Sequence, residues 1–148
     1  MKTRKPLHRK WLIALGAAAS IGTLGAYAAD ENTVPAPSPQ RYDNVEVVNG
    51  GASDEEVDAI KRIAPQYRLR IELSGRNGEW DVADRVTVLQ NDRVVAEVPN
   101  AGPYLLMDLP PGRYTLVGQF ADREVRRTVQ VTGSGTTVHW VLPWQIEN

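Results

Sequence analysis

The 148-residue chain contains no cysteine, which excludes disulfides, thiol nucleophiles and structural cysteine–zinc sites. Histidine and lysine are scarce as well, since only His139 and Lys61 occur beyond residue 28. Metal centres need clustered ligands, and a Ser-His-Asp triad needs a base with an orienting partner. His139 stands between Val138 and Trp140 in a strand-like pattern and is interpreted as a histidine on a sheet surface. We therefore predict that the protein is not an enzyme and uses neither a metal ion nor a cofactor.

Long hydrophobic runs are also missing, because the longest one, Trp11–Gly25, is shorter than the roughly 20 residues of a spanning helix. It follows a basic segment, Met1–Lys10, and precedes the small-x-small site Ala26-Tyr27-Ala28. This three-part pattern predicts a Sec-type signal peptide over residues 1–28, cleaved after Ala28. The mature protein should be periplasmic or secreted, with no membrane span. An uncleaved membrane anchor is the alternative interpretation.

The formal net charge of −1 is an average over two unlike parts. Residues 1–28 carry five of the 17 basic residues and no acidic one, which leaves 12 basic residues against 18 acidic ones. The net charge of the remaining chain is thus −6. Because such a charge repels phosphate, we expect no binding to nucleic acid.

Three short regions flank the main domain. Residues 29–43 form a proline-rich tether, in which Val34–Pro39 alternates proline with small residues. Residues 44–65 contain a strand or turn and then a short amphipathic helix. Ser53 and Glu56 have the spacing of a capping box at its start, and Pro65 limits its end. Residues 145–148 are a tail.

Beyond Pro65 the apolar period changes from that of a helix to that of a strand. The sequence predicts seven strands separated by Gly, Pro, Asn and Asp turns: Tyr67–Leu73, Ala83–Gln90, Arg93–Val98, Tyr104–Leu109, Arg113–Phe120, Glu124–Val131 and Thr136–Leu142. This spacing predicts a mainly β fold, a seven-stranded antiparallel β-sandwich over residues 66–144.

The segment Leu109-Pro110-Pro111-Gly112-Arg113-Tyr114-Thr115-Leu116 resembles the L-P-x-G-x-Y-x-L signature of carboxypeptidase regulatory-like domains, which are prealbumin-like β-sandwiches. The whole layout over residues 44–144 is similar to small exported proteobacterial proteins that carry such a domain. The resemblance implies an accessory module without catalytic residues. We expect Gly112 to adopt a positive φ, and Tyr114 to bury its ring while its hydroxyl finds a backbone partner.

Two groups of residues are candidate ligand sites. Glu79, Asp81 and Asp84 lie within six positions of each other and could form a weak Ca²⁺ site, or simply a solvated acidic loop. Trp80 and Trp144 occupy predicted loops, where an aromatic ring is free to stack on a sugar or a peptide. Trp144 could instead close the end of the sandwich, as Trp140 is expected to fill its core.

These patterns favour a non-enzymatic, exported β-sandwich that acts as an interaction module of the cell envelope through a protein partner. The alternative is a carbohydrate-binding module that uses the loop tryptophans.

Overall fold

The computed structural model describes residues 33–144. Its elements are β1 (Gln40–Tyr42), β2 (Val45–Gly50), α1 (Asp54–Ile63), a 3₁₀ turn (Ala64–Gln66), β3 (Leu69–Ser74), β4 (Ala83–Gln90), β5 (Arg93–Ala101), β6 (Tyr104–Met107), β7 (Gly112–Phe120), β8 (Arg123–Val131) and β9 (Thr136–Val141). The predicted signal peptide and the tail lie outside the described residues. Within residues 33–144, no helix has the length and apolar character needed to cross a bilayer.

The strands form two sheets with a shared core. One sheet has five strands in the order β1-β2-β6-β3-β9, and the other has four in the order β5-β4-β7-β8. Fully buried side chains from both sheets, such as Ile71 and Leu105 from the first and Val86 and Leu116 from the second, belong to one cluster. The mainly β prediction is confirmed, and the arrangement is compatible with a β-sandwich.

All seven predicted strands are present, but the count of seven was wrong, because residues 33–144 contain nine. The two additional strands, β1 and β2, form an antiparallel hairpin within residues 40–50. β1 has only three residues and directly follows the prolines, so no alternation could reveal it. In β2 the neighbours Val47 and Val48 are both buried, because one faces the core and the other faces α1.

The expectation of a wholly antiparallel fold was also wrong at one pair. β3 and β9 run parallel, with Leu69 opposite Thr136 and Ser74 opposite Val141. Residues 75–135 separate these strands, so no local turn fixes their relative direction.

Helix α1 forms as the capping pattern predicts. The Ser53 hydroxyl accepts a hydrogen bond from Glu56 N at 3.2 Å. The Glu56 carboxylate in turn accepts from the backbone N–H groups of Gly51 and Ala52. A ten-residue helix is marginal on its own. Its stability comes from packing Val57 and Ile60 onto the outer face of the five-stranded sheet.

Part of the proline-rich segment lies against this helix. Arg62 Nη2 donates a hydrogen bond to Val34 O at 3.0 Å. Pro37 packs on Gly50, where an added Cβ atom would lie only 2.7 Å from Pro37 Cγ and 3.1 Å from Ile60 Cδ1. Residues 34–37 therefore belong to the folded unit.

Candidate functional site

A groove of about 260 Å³ lies on the outer face of the five-stranded sheet, beside the last turn of α1. Its floor consists of buried apolar side chains, and its rim consists of more exposed, mostly polar or charged ones: Ile60, Ile71, Tyr104 and Leu106 at the floor, and Lys61, Ala64, Pro65, Arg70, Glu72 and Thr137 at the rim. Tyr104 and Leu106 are 6% and 2% exposed. The groove exists because α1 covers β2 and β6 and ends at Ile63, which leaves the outer face of β3 and β9 uncovered.

Arg70 fixes the wall of this groove. Its Nη1 donates to Ala64 O and Tyr67 O at 3.4 and 3.3 Å, and its Nε donates to Thr137 Oγ1 at 3.0 Å. A guanidinium is favourable beside the carbonyls at a helix C-terminus, which carries a partial negative charge. Because these contacts join the end of the helix to β3 and β9, the wall is formed before any ligand binds.

The Tyr104 hydroxyl adds a neutral polar group at the floor. Burial, and then the nearby charge of Glu72, raises the pKa of Tyr104 above its ordinary value. The phenol therefore stays protonated through the neutral range and remains able to donate a hydrogen bond.

His139 lies next to the groove on the exposed face of the sheet. Its Nδ1 is 2.8 Å from Glu72 Oε2, the carboxylate directly opposite it in the β3–β9 register, and its side chain is 71% exposed. Arg127 reaches across from the second sheet and donates to His139 O at 2.6 Å. His139 thus takes part in a surface pair that extends the charged rim.

The structure separates the two tryptophans that were predicted to bind a ligand. Trp80 is 46% exposed and packs edge-on against Tyr104, with 5.7 Å between ring centroids. Trp144 is 1% exposed, stacks on Phe120, and donates from Nε1 to Val82 O at 3.1 Å. Trp80 therefore offers an aromatic surface near the groove, whereas Trp144 closes the core.

The three acidic candidates also point to different partners. Glu79 accepts a hydrogen bond from the Asn77 amide, and Asp84 Oδ2 accepts from Ala121 N at 2.7 Å. Asp81 is buried, and its Oδ1 accepts from the N–H of the next residue, Val82. Across residues 33–144, no group of three His, Cys, Asp or Glu side chains is arranged to hold a metal ion.

The Leu109–Tyr114 corner is held by Tyr114, a residue of the core shared by the two sheets. The Tyr114 ring is 2% exposed and its hydroxyl donates to Pro110 O at 2.7 Å. Burial raises the pKa of Tyr114. Gly112 does not adopt the positive φ that we expected. Glycine instead leaves room for Gln90, whose Nε2 would lie 3.0 Å from an added Cβ.

Sequence reasoning missed the groove, although one signal for it was present. Residues Tyr104 to Met107 are four consecutive buried residues, so this strand is covered on both faces. The predicted helix has an apolar stripe, Val57, Ile60 and Ala64, which is the element that could cover the outer face of this strand. Pro65 marks the end of the helix, but nothing in the sequence shows that this end lies short of β3 and β9. Comparison of the chain with models of protein families and with curated proteins finds no match.

Proposed function

We propose that this chain is a non-enzymatic interaction module, exported to the cell envelope, whose groove beside α1 binds a segment of a protein partner. The observation that carries the proposal is the groove itself, with a buried apolar floor and a charged rim held in place by Arg70. A preformed surface of this kind binds without first losing conformational entropy.

The size of the groove favours a protein segment over a whole small molecule. Pockets for small molecules typically span about 300–1,000 Å³. At about 260 Å³ the groove is below that range and suits one or two side chains. Protein interfaces often depend on such an anchor, a single apolar or aromatic side chain in a pocket surrounded by polar contacts.

The charges suggest the chemistry of the partner segment. Arg70 and Glu72 are engaged by Thr137 and His139, whereas Lys61 stands exposed at the rim. We expect the partner to place an apolar side chain on Tyr104 and an acidic side chain near Lys61.

The export part of the proposal depends on residues 1–28 and on the resemblance to exported carboxypeptidase regulatory-like proteins. Two sheets around one core, and the Tyr114 hydrogen bond to Pro110, are in keeping with a prealbumin-like sandwich. Periplasmic or secreted localisation is tested by fractionating cells that express the full chain. Mass spectrometry should find a mature N-terminus at Ala29, and an intact Met1 in the membrane fraction would contradict it.

The binding proposal is tested by capture from envelope extract with a matched set of variants. Ala64→Leu fills the groove and keeps the backbone carbonyl that Arg70 contacts, and Lys61→Glu reverses the rim charge. Arg93→Glu makes the same charge change on the exposed edge strand of the other sheet. The proposal predicts a protein that wild type and Arg93→Glu retain and that both groove variants lose. Equal capture by all four proteins would contradict it.

Carbohydrate binding is the second candidate, because Trp80 is half exposed beside Tyr104. Trp144 is buried, so the platform would consist of Trp80 and the groove alone. A glycan panel should then change tryptophan fluorescence in wild type and have no effect on Trp80→Ala. An unchanged spectrum across the panel would eliminate this candidate.

A further inference from the structure

The loop between β3 and β4 contains a small cradle lined by oxygen atoms. If a Cβ atom is placed on Gly75, the three nearest atoms outside residues 74–76 are all oxygens: Asn77 Oδ1 at 3.0 Å, Asp81 Oδ2 at 3.5 Å and Glu79 O at 3.9 Å. One is an amide oxygen, one a carboxylate oxygen and one a backbone carbonyl. Hard cations bind this mixture of ligands.

Asp81 supplies a second, independent observation. The residue is 4% exposed, and its Oδ2 has no hydrogen-bond partner among residues 33–144. A buried carboxylate oxygen without a partner is costly. Oδ2 faces the cradle over Gly75, so a cation bound there would give this oxygen the partner that it lacks.

The other two oxygens retain bonding capacity. Asn77 Oδ1 accepts one hydrogen bond, from Glu79 N, and Glu79 O accepts one, from Gly75 N at 2.8 Å. Each carbonyl oxygen has two lone pairs, so one remains for a ligand. The Asn77 amide is oriented from its other end, because Nδ2 donates to Glu79 Oε2 at 2.8 Å.

The loop is held closed without any ligand. Asp81 N donates to Leu73 O at 3.1 Å, and Ser74 and Trp80 form an isolated β-bridge. Trp144 anchors the following residue through Val82 O. The oxygens are therefore fixed in position by backbone contacts and by the core.

We propose that this loop binds Ca²⁺ through Asn77 Oδ1, Glu79 O and Asp81 Oδ2. The side chains of Glu79 and Asp84 are not ligands, which distinguishes this site from the acidic trio that the sequence suggested. Calcium fits better than magnesium, because Ca²⁺ accepts irregular shells of carbonyl and carboxylate oxygens, whereas Mg²⁺ requires near-ideal octahedral geometry. With one carboxylate and water completing the shell, we expect a dissociation constant of about 10⁻⁴–10⁻³ M.

The test uses residues 29–148, the form that the predicted cleavage after Ala28 leaves. Its melting temperature is measured as CaCl₂ is added at constant ionic strength. At a concentration about ten times the dissociation constant, we expect an increase of the order of 5 °C. The same concentrations of MgCl₂ and NaCl serve as comparison arms, and EDTA should reverse the shift.

Two variants locate the site and one serves as the matched control. Asp81→Asn removes the charged ligand. Gly75→Ala fills the cradle with a methyl group while keeping all three oxygens, and Gly75 has an ordinary φ that alanine can adopt. Both should lose the calcium shift. Asp84→Asn should keep it, because its carboxylate bonds Ala121 N elsewhere.

Three outcomes would overturn the proposal. They are a wild-type melting temperature that does not respond to calcium, an equal response to magnesium or sodium, and a calcium shift that survives in Gly75→Ala. The last outcome stays decisive even if Asp81→Asn fails to fold.

Discussion

Trp144 is a core residue, and its removal should destabilise the protein strongly. The side chain is 1% exposed, stacks on Phe120 with 5.7 Å between centroids, and donates to Val82 O. Replacing a buried Trp by Ala typically costs about 3–5 kcal/mol. Because a domain of this size has only about 5–15 kcal/mol of stability, Trp144→Ala should leave the fold close to its unfolding threshold.

Two further variants separate the contributions. Trp144→Phe keeps a ring against Phe120 but loses the hydrogen bond to Val82 O and the volume of the second indole ring. Its free energy of unfolding should therefore fall by about 1–3 kcal/mol. Trp80→Ala removes a ring that is 46% exposed and should cost about 1 kcal/mol or less. Urea denaturation monitored by far-UV circular dichroism at 25 °C measures all three variants. Equal, small effects for Trp144→Ala and Trp80→Ala would refute the assignment of Trp144 to the core.

Three other substitutions test separate contacts. Burial, then the hydrogen bond to Glu46, raises the pKa of Tyr67 to about 12, so the folded state holds this proton above the unfolded pKa of about 10. The free energy of unfolding therefore keeps its full contribution from the Tyr67 proton below pH 10. About 2–3 kcal/mol of that contribution is lost as the pH rises to 12. Tyr67→Phe should lack this loss in urea titrations, and a parallel decline in both proteins would contradict it. Gly50→Val should displace Pro37 and expose residues 33–39 to protease, and unchanged cleavage would contradict that packing. Tyr114→Phe should lower the free energy of unfolding by about 1 kcal/mol in the same urea assay, whereas no change would show that its hydroxyl bond is dispensable.

Local patterns predicted the elements well. The capping pair Ser53 and Glu56 located the start of α1, because a helix N-terminus is specified by neighbouring residues. β4 has the bounds Ala83–Gln90 that alternation predicted. Period-2 patterns locate such half-buried strands, and turn residues separate them.

Features that depend on distant contacts were not predictable in the same way. The parallel pairing of β3 with β9 joins residues far apart in the chain, and β1, with three residues, is too short to show any alternation. The candidate ligand sites also depend on distant contacts. Whether Trp144 is a loop platform or a core residue depends on where the chain turns after β9, and the convergence of Asn77 with Asp81 over Gly75 depends on the folded loop.

Site-specific photo-crosslinking in the producing cell tests most directly whether the groove beside α1 contacts a protein partner. A photoreactive side chain that keeps a positive charge replaces Lys61, on the groove rim, or Arg93, on the opposite sheet. We predict one discrete crosslinked protein from position 61 that is absent from position 93 and disappears when Ala64→Leu fills the groove. Crosslinking that is the same from both positions, or that persists with the groove filled, would contradict the account.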